Sequence, residues 1–110
     1  MLYVLNSLIV PLDFESCSLH LVSFYKIDVE TAQEILAESE FISAVGHEST
    51  AKLLTNLLGV EIPTNRITVR MKEGDTALHF VLKQRLSEGK VLSEEELRGL
   101  EFDLVFSRVK

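Results

Sequence analysis

The stretch Gly46-His47-Glu48-Ser49-Thr50-Ala51-Lys52-Leu53-Leu54-Thr55-Asn56-Leu57-Leu58-Gly59 decides the fold class. Ala51, Leu54, Leu57 and Leu58 recur at helical spacing, which predicts an amphipathic helix over about Glu48 to Leu58. Gly59 suits the left-handed position just past a helix end. Upstream, Asp28 is a plausible N-cap for a further helix to about Ser39, carried by Val29, Ala32, Ile35 and Leu36. Phe41 and Val45 fall in the connection between the two.

Strand-like runs surround these helices. Leu2 to Val10 reads as a buried strand stopped by Pro11, and Ser18 to Ile27 as a second, with His20, Val22 and Phe24 on one face. Ile67 to Met71 and Thr76 to Leu82 flank Lys72-Glu73-Gly74-Asp75, which predicts a hairpin. Ser93 and Glu96 have the spacing of a capping box, with Leu92 and Leu97 stapling that helix start. Phe102, Leu104 and Phe106 alternate with Asp103, Val105 and Ser107 as a last strand. The order β-β-α-α-β-β-α-β predicts one α+β domain over residues 1–110, an approximately five-stranded mixed sheet with helices mainly on one face. No internal repeat, low-complexity tract or linker interrupts it.

With 110 residues, 46% hydrophobic and 25% charged, the chain has the make-up of a single globular domain. One cysteine, Cys17, excludes an intrachain disulfide and any cysteine-cluster metal site. The opening has no basic n-region, and no apolar run approaches the roughly 18 to 20 residues of a membrane span, so cytoplasmic residence without membrane contact is expected. A net charge of −6 argues against a duplex-DNA binder, which must neutralise many phosphates. The charge is unevenly spread. Residues 1–51 hold Lys26 as their only Lys or Arg against eight carboxylates, whereas residues 52–110 hold ten basic groups against nine acids. A compact anion served by a local basic pocket is compatible with that distribution.

The candidate chemistry starts at His47. A helix N-terminus offers unpaired amides and the positive end of the helix dipole, so a phosphate there would sit within reach of the imidazole. Ser49 and Thr50 lie in the same first turn, as phosphate donors or as ordinary helix-start residues. Arg66 and Arg85 have the planar fork that matches phosphate oxygens. Arg85 and Glu88, three apart, would share a helical face; a surface ion pair is the plain alternative. His20 and His79 stand among apolar neighbours and read as packed or surface histidines. No spacing suggests a metal site or a cofactor.

Leu-Tyr-Val-Leu-Asn-Ser at 2–7, the Gly46–Gly59 segment, Asn65-Arg66, Gly74-Asp75 and Gln-Arg-Leu-Ser-Glu-Gly-Lys-Val-Leu-Ser-Glu-Glu-Glu-Leu at 84–97 resemble, in order and nearly end to end, the viral type III anti-CRISPR ring nucleases. The resemblance implies metal-independent destruction of cyclic tetra-adenylate, the second messenger that activates ancillary defence nucleases, by a homodimer acting in the host cytoplasm. It makes His47 the general acid on the departing 5′-oxygen, Arg85 the clamp on the scissile phosphate, and Glu88 a residue orienting Arg85 or His47 or touching ribose. Asn6, Ser7, Gly46, Ser49, Thr50 and Arg66 would bind the substrate. The segment around Gly89 closes over the ligand in that family; a helix-ending glycine is the plainer reading. One departure is Leu8-Ile9-Val10, where relatives place a polar contact. The rival functions are a non-enzymatic nucleic-acid-binding regulator, a viral protein that occupies a host partner, and a sponge that holds the cyclic nucleotide without cutting it.

Overall fold

A computed structural model describes residues 1–15, 17–83 and 99–110. The elements are β1 (Leu2–Leu5), β2 (Val22–Ile27), α1 (Val29–Glu38), β3 (Phe41–Ser43), α2 (Glu48–Leu58), β4 (Thr76–Leu82) and β5 (Phe102–Val109). The strands form one sheet in the order β2-β5-β4-β1-β3. β1 lies parallel to both neighbours, β3 and β4, whereas β5 runs antiparallel to β4 and β2. The sheet is therefore mixed and the domain is α+β.

β1 is Leu-Tyr-Val-Leu, apolar on both faces, as a central strand covered on both sides requires. Leu2 and Val4 join Leu78, Phe80 and Leu104 on the face that receives the helices. There they pack with Ala32 and Leu36 of α1 and with Ala51, Leu53, Leu54 and Leu58 of α2. The opposite face carries Leu5, Ala77 and Val109 and is covered by Val69 and Met71. No helical residue belongs to this second cluster among the described residues.

Both helices have the ends their sequences predict. Asp28 caps α1 through its carboxylate, which accepts from the Thr31 amide at 2.8 Å. The Thr31 side chain and, after it, this amide bond hold the Asp28 carboxyl below its ordinary value. Gly59 ends α2 at φ +70, with its N–H donating to the Thr55 carbonyl at 2.9 Å.

Three strand expectations are corrected. Ile67 to Met71 does not pair with β4 in a hairpin, because β4 already has β1 on one edge and β5 on the other. The Lys72–Asp75 turn still forms, closed by the Asp75 amide on the Lys72 carbonyl at 2.9 Å. Met71 instead makes an isolated bridge with Leu12, its amide donating to the Pro11 carbonyl at 2.7 Å. The fifth strand is β3, within the stretch expected to be a connection. β1 and β2 are also shorter than expected: β1 stops at Leu5, and β2 starts only at Val22. Upstream of β2 the His20 ring Nε2 bonds the Asp13 carbonyl at 2.6 Å, which engages this ring away from the sheet ladder. The capping box at Ser93 and the Gly89 segment lie outside the described residues.

Candidate functional site

Three parallel strands point their carboxyl ends to one edge of the sheet, where ligands of open α/β sheets are commonly held. Val4 of β1 is in register with Ser43 of β3, and the Ala44 amide extends the ladder to the Val4 carbonyl at 2.9 Å. Consequently Asn6-Ser7 leaves β1 beside the point where Gly46-His47 leaves β3. β4 ends at Leu82 at this same edge.

The residues after α2 bring Arg66 to it. Thr55 anchors their start, its hydroxyl accepting from the Ile62 amide at 2.9 Å. The buried Ser43 hydroxyl donates to the Pro63 carbonyl at 2.6 Å. Asn65 then grips β3's exit twice, with its side-chain amide on the Ser43 carbonyl and its backbone amide on the Val45 carbonyl, each at 2.8 Å. Arg66 follows immediately, and its Nε donates to the Gly46 carbonyl at 2.9 Å. A Cβ on Gly46 would stand 3.1 Å from Arg66 Cγ, close enough that the arginine would have to give by a few tenths of an ångström. No carboxylate pairs with Arg66 among the described residues.

His47 is the N-cap of α2, exposed and in extended conformation, and its side chain makes no capping bond. The first intrahelical bond runs from the Ala51 amide to the His47 carbonyl at 3.0 Å. The amides of Glu48, Ser49 and Thr50 thus remain available at the positive end of the helix dipole. Glu48 forms a surface pair with Lys52 at 3.1 Å, and Ser49 and Thr50 are partly exposed. Lys26 and Lys83 both engage Asp103, at 3.2 and 3.5 Å, and the hydrogen bond from Lys26 holds its carboxyl below the ordinary value. A groove of about 620 Å³ runs between α2 and the segment that follows it, but its lining sets Glu48 and Glu61 against a single cation, Lys52. That balance does not suit an anion, and the strand edge remains the candidate site.

Of the residues expected at the site, the fold brings Asn6, Ser7, Gly46, His47, Ser49, Thr50 and Arg66 to one region. Arg85 and Glu88 lie outside the described residues. Sequence reasoning gave no role to Ser43 or Asn65, which carry Arg66 into place. Their only sequence signal is a polar residue closing a short apolar run at 41–43 and an asparagine directly before the arginine. Among the described residues no three His, Cys, Asp or Glu side chains are grouped to hold a metal ion, and no helix is long and apolar enough to cross a membrane.

Fold and site together define a small mixed-sheet α+β protein whose parallel strands end at an edge carrying His47, the first amides of α2 and Arg66. The chain belongs to the STIV B116-like family, whose model matches residues 2–104. It is 45% identical to uncharacterized protein 26 of Sulfolobus islandicus filamentous virus, over 94% of this chain and 87% of that protein. It is 41% identical to the uncharacterized ORF117 protein of Acidianus two-tailed virus, over 96% and 90% of the two chains. Its structure is similar to that of B116 of Sulfolobus turreted icosahedral virus, with a TM-score of 0.77 and 30% identity over 97% of each chain.

Proposed function

We propose that this protein is a metal-independent ring nuclease that opens cyclic tetra-adenylate and thereby counteracts type III CRISPR signalling. The observation that carries the proposal is the convergence of His47, the unpaired first amides of α2 and the Arg66 guanidinium around Gly46. The amides and guanidinium suit a phosphodiester, and the adjacent imidazole suits proton transfer to its leaving oxygen. The substrate supplies its own nucleophile. A ribose 2′-oxygen attacks the neighbouring phosphorus and loses its proton to solvent water, the bond from phosphorus to the 5′-oxygen breaks, and the His47 imidazole delivers a proton to that oxygen and regains one from solvent. The product end is a 2′,3′-cyclic phosphate. Arg66 offsets the charge that builds on the phosphoryl oxygens. Arg85, three residues beyond the end of β4, is assigned the same task on the scissile phosphate, with Glu88 orienting it.

A homodimer completes the proposal. Cyclic tetra-adenylate admits two-fold symmetry, and an isologous pair sets two copies of His47 around one ring, so opposite cuts leave two linear di-adenylates. Six large apolar residues between positions 8 and 24 are exposed: Leu8, Ile9, Phe14, Leu19, Leu21 and Phe24. They offer surface for a second copy to cover. The deciding experiment is incubation of the purified protein with cyclic tetra-adenylate in EDTA, followed by mass analysis. Di-adenylates with cyclic phosphate ends are expected. A ring that stays intact in EDTA and is cut once a divalent ion is added would overturn the mechanism, and an intact ring held tightly would identify a sponge.

A further inference from the structure

His79 is the one described histidine shut entirely inside the protein, with no exposed surface, in the middle of β4 and in register with Leu5 of β1. It lies with Ala77 on the face of the sheet opposite α1 and α2. Each ring nitrogen has a partner. Nδ1 is 2.8 Å from the Ser7 carbonyl oxygen, and Nε2 is 2.7 Å from the Ser107 hydroxyl on β5. A carbonyl only accepts, so Nδ1 carries the proton. In the neutral ring Nε2 then accepts from the Ser107 hydroxyl. Burial lowers the pKa of this ring, which keeps the neutral form and its fixed pattern of one donor and one acceptor.

The target of the Nδ1–H bond is informative. Asn6, Ser7 and the following Leu8 and Ile9 have left the ladder that ends at Leu5, and the carbonyl of Ser7 is returned to the sheet by a side chain lying 72 residues away in sequence. A leucine would fill this interior position in β4 at similar volume; a histidine bonded on both sides ties the corner after β1 to two other strands. Among the described residues no other hydrogen bond holds the Asn6-Ser7 corner against β4 or β5.

We infer that His79, oriented by Ser107, is a positioning residue that fixes the Asn6–Ser7 corner at the ligand-binding edge of the sheet. The inference rests on the ring-nuclease reading, in which Asn6 and Ser7 contact the substrate. His79 touches no substrate and transfers no proton. Its effect falls on ligand binding, since a corner that wanders must be ordered at the expense of affinity.

The test uses the full chain with cyclic tetra-adenylate and three variants, His79→Leu, His79→Asn and Ser107→Ala. Leucine removes the donor at similar volume; asparagine places an amide N–H near the Nδ1 position; alanine leaves the ring without its orienting partner. For His79→Leu, KM is expected to rise by about tenfold with kcat within about threefold of wild type, and Ser107→Ala to fall between the two. His79→Asn should restore most of the lost affinity. Amide hydrogen exchange at Leu8 and Ile9 should quicken in His79→Leu and return toward wild type in His79→Asn. If His79→Leu does not fold, the Asn and Ala variants carry the same comparison. A wild-type KM in His79→Leu, or an asparagine variant no better than leucine, overturns the inference alone. A wild-type protein that neither binds nor cuts the ring overturns the ring-nuclease reading and this inference with it.

Discussion

At the scale of single residues, the site sets an unengaged His47 beside an arginine seated on the Gly46 carbonyl. His47 makes no capping bond and is exposed, so its ring is available to a ligand. Replacing it with alanine is expected to lower kcat on cyclic tetra-adenylate by roughly 10²-fold or more, the usual scale for losing a general acid, with ring binding largely kept. Single-turnover kinetics alongside a binding titration separate the two, and wild-type turnover would make His47 structural. Gly46 is tested through Arg66. An added Cβ would meet Arg66 Cγ at 3.1 Å, and the flexible arginine can give, so Gly46→Ala should fold normally while shifting the guanidinium against the Gly46 carbonyl. A KM raised several-fold at an almost unchanged melting temperature is expected; an unchanged KM would show that the seat of Arg66 is not used in binding.

At the scale of elements, helix ends and strand edges account for most of what was legible in the sequence. The Asp28 cap satisfies an otherwise orphaned amide of α1, and Asp28→Ala should lower the melting temperature by a few degrees. An unaffected melting temperature would mean that water serves the Thr31 amide equally well. β4 makes a further prediction through His79. Because its pKa is lowered on folding from an ordinary value of about 6.5, the unfolded chain binds the proton more readily. The associated stability is complete above about pH 6.5 and is lost as pH falls through the folded value, with a limiting slope of about 1.4 kcal/mol per pH unit. Asp28 and Asp103 also have lowered values, but their contribution fades only below about pH 4. Urea unfolding at pH 7.5 and 5.5 should therefore show a loss in wild type that is reduced in His79→Asn; equal losses in both would place the titration elsewhere.

At the scale of the whole molecule, the proposal depends on two copies of His47 acting on one ring. Light scattering is expected to give a dimer. Hybrids of wild-type and His47→Ala protomers should open the ring at one phosphate and accumulate linear tetra-adenylate, since the second cut needs the second histidine. Hybrids that yield di-adenylate as fast as wild type, or a fully active monomer, would refute the shared site.

The sequence by itself determined the α+β class, both described helices with their caps, and the last two strands in broad outline. Each of these follows from local rules: spacing of apolar residues along one helix face, a carboxylate able to reach an amide three residues on, and a glycine where a left-handed residue must stand. It also singled out His47, Gly46 and Arg66. Only the tertiary structure decided that Ile67 to Met71 is not a strand and that Phe41 to Ser43 is. Residues 67–71 have strand-like composition, but β4 has two edges and both are taken, while the short Phe41–Ser43 run finds the open edge of β1. The same limit applies to the site. Nothing local announces that Asn65 grips the exit of β3, or that the ring of His79 holds the carbonyl of Ser7, because those bonds join residues 22 and 72 positions apart and exist only once the sheet has assembled.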